Sequence, residues 1–315
     1  NASGPAPQAL TPDILWRKGL AEMPINGWLP VTVPGTPSAW AELIRRFGKL
    51  SLPDVLAPAI DYAENGFPVS PVISRQWQLG FNRFSATPGP EFRFWFETFA
   101  PAGHAPVAGE LWRSQAHAAT LRTLAVSGCR EFYQGDLAAK IDAFARAHGG
   151  WLRASDLAAY QPEWVDPIHI NYHGYDVWEI PPNGHGLVTL MALGILDGME
   201  LAAKESAETY HKQFEAVKLA FADGLKYIAD ARQMKVRVAD LLNEGYLAER
   251  RRLIGAEALS PVAGSPPRGG TVYLATADGE GNMVSYIQSN YKGFGSGLVV
   301  PGTGIALHNR GCNFS

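Results

Sequence analysis

Two glycines followed at once by a threonine that opens an apolar strand constrain this chain more than any other stretch. The run is Gly269-Gly270-Thr271-Val272-Tyr273-Leu274-Ala275-Thr276-Ala277. A turn cluster, Asp278-Gly279-Glu280-Gly281-Asn282, separates it from a second run, Met283-Val284-Ser285-Tyr286-Ile287, so the two read as hairpin arms and as central strands. With Ala277 opposite Met283, antiparallel pairing conserves the index sum. Thr271 then faces Ser289, their Cα atoms roughly 5 Å apart, and a one-residue slip would send every side chain to the other face. Beyond Ser289, the stretch Asn290-Tyr291-Lys292-Gly293-Phe294-Gly295-Ser296-Gly297 is too glycine-rich for a regular element and suits close backbone approach to a ligand.

A threonine hydroxyl needs a base beside it. A chain that begins at the threonine supplies one in its own α-amine, whose unperturbed pKa is about 7.7–8.0, and a positioned base contributes roughly 10²–10⁴-fold. That chemistry requires cleavage between Gly270 and Thr271. Glycine before the cut tolerates the strained backbone from which the hydroxyl would attack its own peptide carbonyl. On local sequence alone, Gly269-Gly270 also reads as a plain turn and Thr271 as an ordinary β-former.

Composition narrows the alternatives. A chain of 315 residues with 46% hydrophobic content is long enough for one sizeable core, and a formal charge of −3 without a basic stripe argues against nucleic acid as partner. Small-molecule substrates are expected. The longest apolar stretch, Leu187 to Leu196, is too short to span a bilayer. Cys129 and Cys312 lack metal-site spacing, and the eight histidines show no HxxxH pair with a nearby acid, so no metal is expected. Ser289-Asn290-Tyr291-Lys292 spells the S-x-x-K of serine enzymes, but that motif opens a helix and Gly293-Phe294-Gly295 forbids one. The loop Pro181-Pro182-Asn183-Gly184-His185-Gly186 leads into a helix without a P-loop lysine and reads as structural before ligand-binding.

Local signals place the elements. Residues 1–35 read as an irregular arm ending in a strand from Leu29 to Val33, followed by a helix from Pro37 to Phe47. Ser51 caps a helix that stops at Asn65-Gly66 and is kinked or divided at Pro58. Phe81 to Glu110, aromatic without period, reads as a long surface connection. Helices are expected at 116–127, 136–147 and near 155–160, and a hairpin around His173-Gly174-Tyr175. One long helix from Thr209 to Ala231 would bury Tyr210, Phe214, Val217, Phe221, Leu225 and Ile228 against a sheet. Another from Leu241 to Ile254 would leave Arg250, Arg251 and Arg252 on a solvated face.

Several motifs recur in a set order: Val33-Pro34-Gly35 with Trp40, Leu56-Ala57-Pro58-Ala59-Ile60, Gly66-Phe67-Pro68-Val69-Ser70, Phe132-Tyr133-Gln134-Gly135, and Asp156-Leu157-Ala158-Ala159-Tyr160. Pro181 to Gly186, Glu215 to Asp223, Gly293 to Gly297, Pro301-Gly302-Thr303-Gly304-Ile305, and Asn309 to Phe314-Ser315 complete the series. Over nearly its whole length the chain resembles the γ-glutamyltranspeptidase family, especially its acylase-like bacterial branch. The resemblance implies an α+β fold, the four-layer αββα sandwich of the N-terminal nucleophile hydrolases, here incomplete at both ends. Residues 1–270 would be the large-subunit portion without its N-terminal segment, and 271–315 the start of the small subunit, together one structural domain. Both subunits would come from one precursor and could pair as a homodimer of heterodimers. Compartment stays open between bacterial cytoplasm and periplasm.

Carried over residue by residue, the resemblance makes Thr271 the catalytic, self-cleaving threonine and Gly270 the residue before the cut. Ser289 falls where relatives have a second hydroxyl that hydrogen-bonds the nucleophile. Asn290 or Tyr291 falls at a substrate-binding asparagine, and Arg310 and Asn313 fall where γ-glutamyl enzymes hold the substrate's α-amino group. The residues of the oxyanion hole would lie beyond Ser315. No cofactor is implied. Two departures stand out: Asn313 replaces an amine-binding carboxylate beside the cation Arg310, and Ser3-Gly4-Pro5 stands where an arginine would grip the glutamyl carboxylate. The implied activity is a self-processing γ-glutamyltransferase or hydrolase, an enzyme of glutathione metabolism. A glutaryl- or cephalosporin-type acylase and a non-catalytic ligand-binding relative are the alternatives.

Overall fold

In the computed structural model, which describes residues 1–260 and 272–313, residues 2–163 with 272–313 form one compact unit and residues 164–260 another. The first begins with an arm that is irregular except for α1 (Pro12–Arg17). No strand forms over residues 29–33. Val31 donates its N–H to Trp28 O in a turn and Val33 donates to Pro5 O, so the two buried valines anchor a loop rather than a ladder.

Helices then follow closely: α2 (Thr36–Phe47) and α3 (Leu52–Asn65). Ser51 caps α3 in a reciprocal capping box with Asp54, and the helix runs through exposed Pro58 as one element. Strand β1 (Phe67–Pro68) precedes α4 (Pro71–Ser85) and α5 (Arg93–Phe99). Of the stretch expected as a surface connection, residues 81–100 therefore contribute to the core, while 101–110 are irregular and mostly exposed as expected. The aromatics carry no period because they fill an irregular cluster in which Phe84, Trp95 and Phe99 are buried. Strand β2 (Leu111–Trp112) pairs with β1, and α6 (Gln115–Ser127), α7 (Arg130–Gln134), α8 (Asp136–Ala147) and α9 (Ala154–Ala159) complete this part.

The second unit opens with the hairpin β3 (Ile168–Tyr172) and β4 (Tyr175–Glu179), which joins α10 (Gly186–Leu196), α11 (Ala207–Tyr227), α12 (Val238–Leu241) and α13 (Glu244–Arg251). The Glu179 carboxylate packs against Gly186, where a Cβ would lie 2.5 Å from its Oε2, so the start of α10 faces the chain's own acid. Helix α11 is rotated by about 100° from the orientation its aromatic spacing suggests, so that of the six expected core residues only Phe221 and Ile228 pack against the core, both partly buried. Ala216, Leu219, Ala220 and Gly224 are its buried side, whereas Tyr210, Phe214, Val217 and Leu225 are exposed. Small residues let helices approach closely: a Cβ at Gly224 would meet Val188 at 2.5 Å. The expected single helix over 241–254 is divided at Asn243, whose side chain caps α13 by accepting from Tyr246 N–H. Its arginines are not merely solvated. Arg250 pairs with Asp223 at 2.9 Å, and Arg251 donates to the carbonyls of Ile195 and Gly194, closing the end of α10.

Back in the first unit, β5 (Val272–Ala277) and β6 (Met283–Gln288) form the expected hairpin. Its register runs from Ala277 opposite Met283 to Val272 opposite Gln288. The arms are not central strands among the described residues. They make a two-stranded sheet whose Tyr273, Met283 and Ile287 are 59%, 80% and 62% exposed.

Candidate active site

Strand alternation gives the hairpin two unlike faces. Leu274, Thr276, Val284 and Tyr286 look toward α2 and α3, where with Trp40, Ile44 and Leu56 they line an apolar cavity of about 300 Å³. At its polar end the Gln288 side-chain carbonyl accepts from Trp40 Nε1 at 3.2 Å and from the Tyr286 hydroxyl at 3.0 Å. Thr271 and Gly270, the expected nucleophile and the residue before the cut, lie outside the described residues.

Ser289 directly follows the last described pair, and its Oγ accepts from Tyr291 N–H at 2.8 Å, a side-chain turn that ends the strand. Tyr291 takes a left-handed φ of 75°, a conformation that costs a non-glycine residue roughly 1–2 kcal/mol. Its ring lies 5.6 Å from Lys292 Nζ and 5.5 Å from Arg310 Cζ, within cation–π range. The buried hydroxyl sits beside Asn313 without a well-aligned hydrogen bond among the described residues. Burial, with the neighbouring Cys312, pushes this phenol above its usual range.

Arg310 and Asn313 open and close a short 3₁₀ turn. The Arg310 backbone N–H donates to His308 Nδ1 at 3.2 Å, which leaves the proton on Nε2 to meet Thr32 Oγ1 at 3.3 Å. Enclosure holds His308 down at about 4, with the Arg310 charge adding to the shift. Cys312 lies within electrostatic reach of Lys292, Arg310 and Arg83; burial raises its thiol while those cations pull it down. None of the three cations is ion-paired with a carboxylate among the described residues.

Tyr291, Arg310 and Asn313 thus come together, with Ser289 bonded to Tyr291 and the Asn290 carbonyl held by Asn309 N–H at 3.2 Å. Lys292 and Arg83 belong to the same cluster, which the sequence does not signal. Lys292 stands out in the sequence only as the end of a spurious S-x-x-K, and Arg83 lies more than 200 residues away. Residues 289–292 are indeed not helical. Among the described residues, no three His, Cys, Asp or Glu side chains are grouped to hold a metal, and no helix is long and apolar enough to cross a membrane.

Comparison with known proteins bears on what this cluster serves. The family model described as gamma-glutamyltranspeptidase matches residues 1–315. A glutathione hydrolase-like proenzyme, YwrD, of Bacillus subtilis is 36% identical over 318 residues, covering 100% of this chain and 59% of the relative. An acylase proenzyme, ACY 1, of Pseudomonas sp. strain SE83 is 34% identical, covering 92% and 52%. Among solved structures, a cephalosporin acylase from Bacillus halodurans superposes with a TM-score of 0.96 at 56% identity, covering 100% of this chain and 58% of the other. The chain spans a little over half the length of the relatives it matches.

Proposed function

The chain belongs to the gamma-glutamyltranspeptidase family, and on that premise we propose that it carries the nucleophile of a self-processing amidohydrolase, Thr271. One observation supports this reading: the described register ends with Val272 opposite Gln288, just before Ser289, which bonds Tyr291 N–H near Arg310 and Asn313, and we extend the ladder by one step to pair Thr271 with Ser289. Thr271 Oγ first attacks the Gly270 carbonyl, and as the ester forms the Gly270–Thr271 C–N bond breaks and the nitrogen takes up the hydroxyl proton, freeing the Thr271 α-amine; water then hydrolyses the ester, releasing the Gly270 carboxylate and restoring the hydroxyl. That amine then takes the hydroxyl proton as Oγ adds to a substrate amide, and returns it to the departing amine. Water or an acceptor amine releases the acyl group from the ester and restores the threonine. Residues up to 270 form the large-subunit portion and those from 271 the small, within the four-layer αββα sandwich of the whole protein; Ser289 holds the nucleophile, and Asn290, Tyr291, Arg310 and Asn313 bind substrate. A homodimer of such heterodimers is the proposed assembly.

The acyl group is γ-glutamyl or a related amide. The cations Arg83, Lys292 and Arg310, none of them ion-paired with a carboxylate among the described residues, although Arg83 donates to Asn26 Oδ1, favour the second reading, an acylase for acyl groups ending in a carboxylate such as glutaryl, because a cationic α-amine would meet like charge there. Steady-state hydrolysis of glutaryl- and γ-glutamyl-p-nitroanilide by the full-length protein and its Thr271→Ala variant tests both readings. Activity that survives in Thr271→Ala overturns the nucleophile assignment, and the ratio of kcat/KM between the two substrates decides the acyl group.

A further inference from the structure

Asn309 is completely buried, so it cannot touch a substrate, yet it binds three of the segments from which the cluster is built. Its Oδ1 accepts from Lys292 N–H at 3.1 Å, and its Nδ2 donates to Ile25 O at 2.9 Å. One partner offers only a donor and the other only an acceptor, so a single orientation of the amide satisfies both. Its backbone completes the tie: the N–H donates to Asn290 O at 3.2 Å, and the carbonyl accepts from Cys312 N–H at 3.1 Å.

The segments so joined are 290–292, which carries Asn290, Tyr291 and Lys292, and 310–313, which carries Arg310, Cys312 and Asn313. The arm near Ile25 backs the 310–313 turn and the loop beyond 292, since Gly311 N–H donates to Pro30 O at 2.8 Å and Gly27 N–H to Ser296 O at 2.9 Å. The far end of the loop is fastened separately. The Phe294 ring sits 5.0 Å from Phe99, 5.1 Å from Trp95 and 5.7 Å from Trp77. Tyr291, with its left-handed φ of 75°, lies between the two bonds to Asn309, at Asn290 O and Lys292 N–H. A non-glycine residue keeps such a backbone only where its surroundings over-determine it, and the Asn309–Lys292 bond fixes the peptide just after it.

We propose that Asn309 is a positioning residue for substrate binding: its amide holds the 290–292 backbone against the 310–313 turn, so that Tyr291, Arg310 and Asn313 present one preformed surface. The proposal rests on the function assigned above. It differs from a general core role in what it leaves alone, because self-cleavage at Thr271 needs no external substrate and Asn309 makes no bond to the strands β5 and β6.

Asn309→Leu removes both side-chain bonds in a similar volume. Asn309→Asp keeps the acceptor for Lys292 N–H and loses the donor to Ile25 O. In the full-length protein, Asn309→Leu is expected to cleave itself as the wild type does and to raise KM for an acyl-p-nitroanilide about tenfold or more. Its kcat should stay within about threefold, with Asn309→Asp in between. Amide hydrogen exchange supplies a readout independent of turnover: protection of Lys292 N–H should fall in Asn309→Leu while that of helix α6 stays. Should the leucine variant fail to fold, Asn309→Ala, which also removes both side-chain bonds, carries the same two comparisons. Unchanged KM, or unchanged protection of Lys292, overturns the proposal. A wild type that neither cleaves nor hydrolyses sinks the functional reading instead, and the exchange experiment still decides the role of Asn309.

Discussion

Val272 stands opposite Gln288, whose side-chain carbonyl is held by both Trp40 Nε1 and the Tyr286 hydroxyl. The strand end that precedes Ser289 is therefore pinned from the helix side. Register errors are suppressed where they would matter most, because a slip by one residue would turn Leu274, Thr276, Val284 and Tyr286 away from the cavity they line.

If this register continues by one step, the Ser289 hydroxyl orients the nucleophile. Ser289→Ala should lower kcat by about ten- to a hundredfold, equivalent to about 1.4–2.7 kcal/mol, with little change in KM. Ser289→Thr keeps the hydroxyl and should retain most of the activity. Steady-state kinetics on an acyl-p-nitroanilide separates the two variants.

The cation cluster predicts a preference by charge. Arg310→Gln should cut kcat/KM for a glutaryl amide by about tenfold or more, as expected for loss of a charge-assisted hydrogen bond of roughly 1.5–3 kcal/mol. The double change Arg310→Gln with Asn313→Asp should shift the preference toward γ-glutamyl amides. If glutaryl and γ-glutamyl substrates fall equally in the first variant, Arg310 does not read the acyl terminus.

Backbone geometry in the loop after the hairpin sets a third expectation. Gly297 has a φ of +81°, and a Cβ there would lie 2.2 Å from the ring of Phe84, which is 2% exposed. Left-handed strain and overpacking add, so Gly297→Ala should lose about 2–4 kcal/mol in urea denaturation. An unchanged midpoint would mean that this loop is not packed against Phe84.

Two enclosed histidines give a dependence on pH. Burial lowers His117 to about 4, and burial together with Arg310 lowers His308 to about 4, against 6.5 for a free side chain. Depressed values mean that the unfolded chain takes up protons first. The stability from keeping both rings neutral is whole above about pH 6.5 and declines as pH falls toward 4, by on the order of 2 kcal/mol for each histidine. Thermal unfolding between pH 7 and pH 4 should therefore show a shallower decline in His308→Asn than in the wild type, and identical slopes would contradict the assignment.

How far such features can be read in advance depends on the range of the interaction. The Ser51 cap, the stop at Gly66 and the pairing of Ala277 with Met283 are set within a few residues, and local chemistry predicts them. Burial is not local. The aromatic spacing of α11 marks an apolar stripe, but the core takes the side with Ala216, Ala220 and Gly224 because close helix contact needs small residues. Arg251 reads as solvated until the end of α10 arrives with open carbonyls at Gly194 and Ile195. In the candidate site, Tyr291, Arg310 and Asn313 could be singled out only by resemblance. Arg83 and Asn309 could not, since what they touch at Cys312 and Ile25 is far away in sequence.

The most direct test of the central claim is the mass of the full-length protein's polypeptides under denaturing conditions. The account predicts two chains, the smaller beginning at Thr271, and a single uncut chain in Thr271→Ala. One intact wild-type chain that persists for days, or a cut at any other bond, would contradict it.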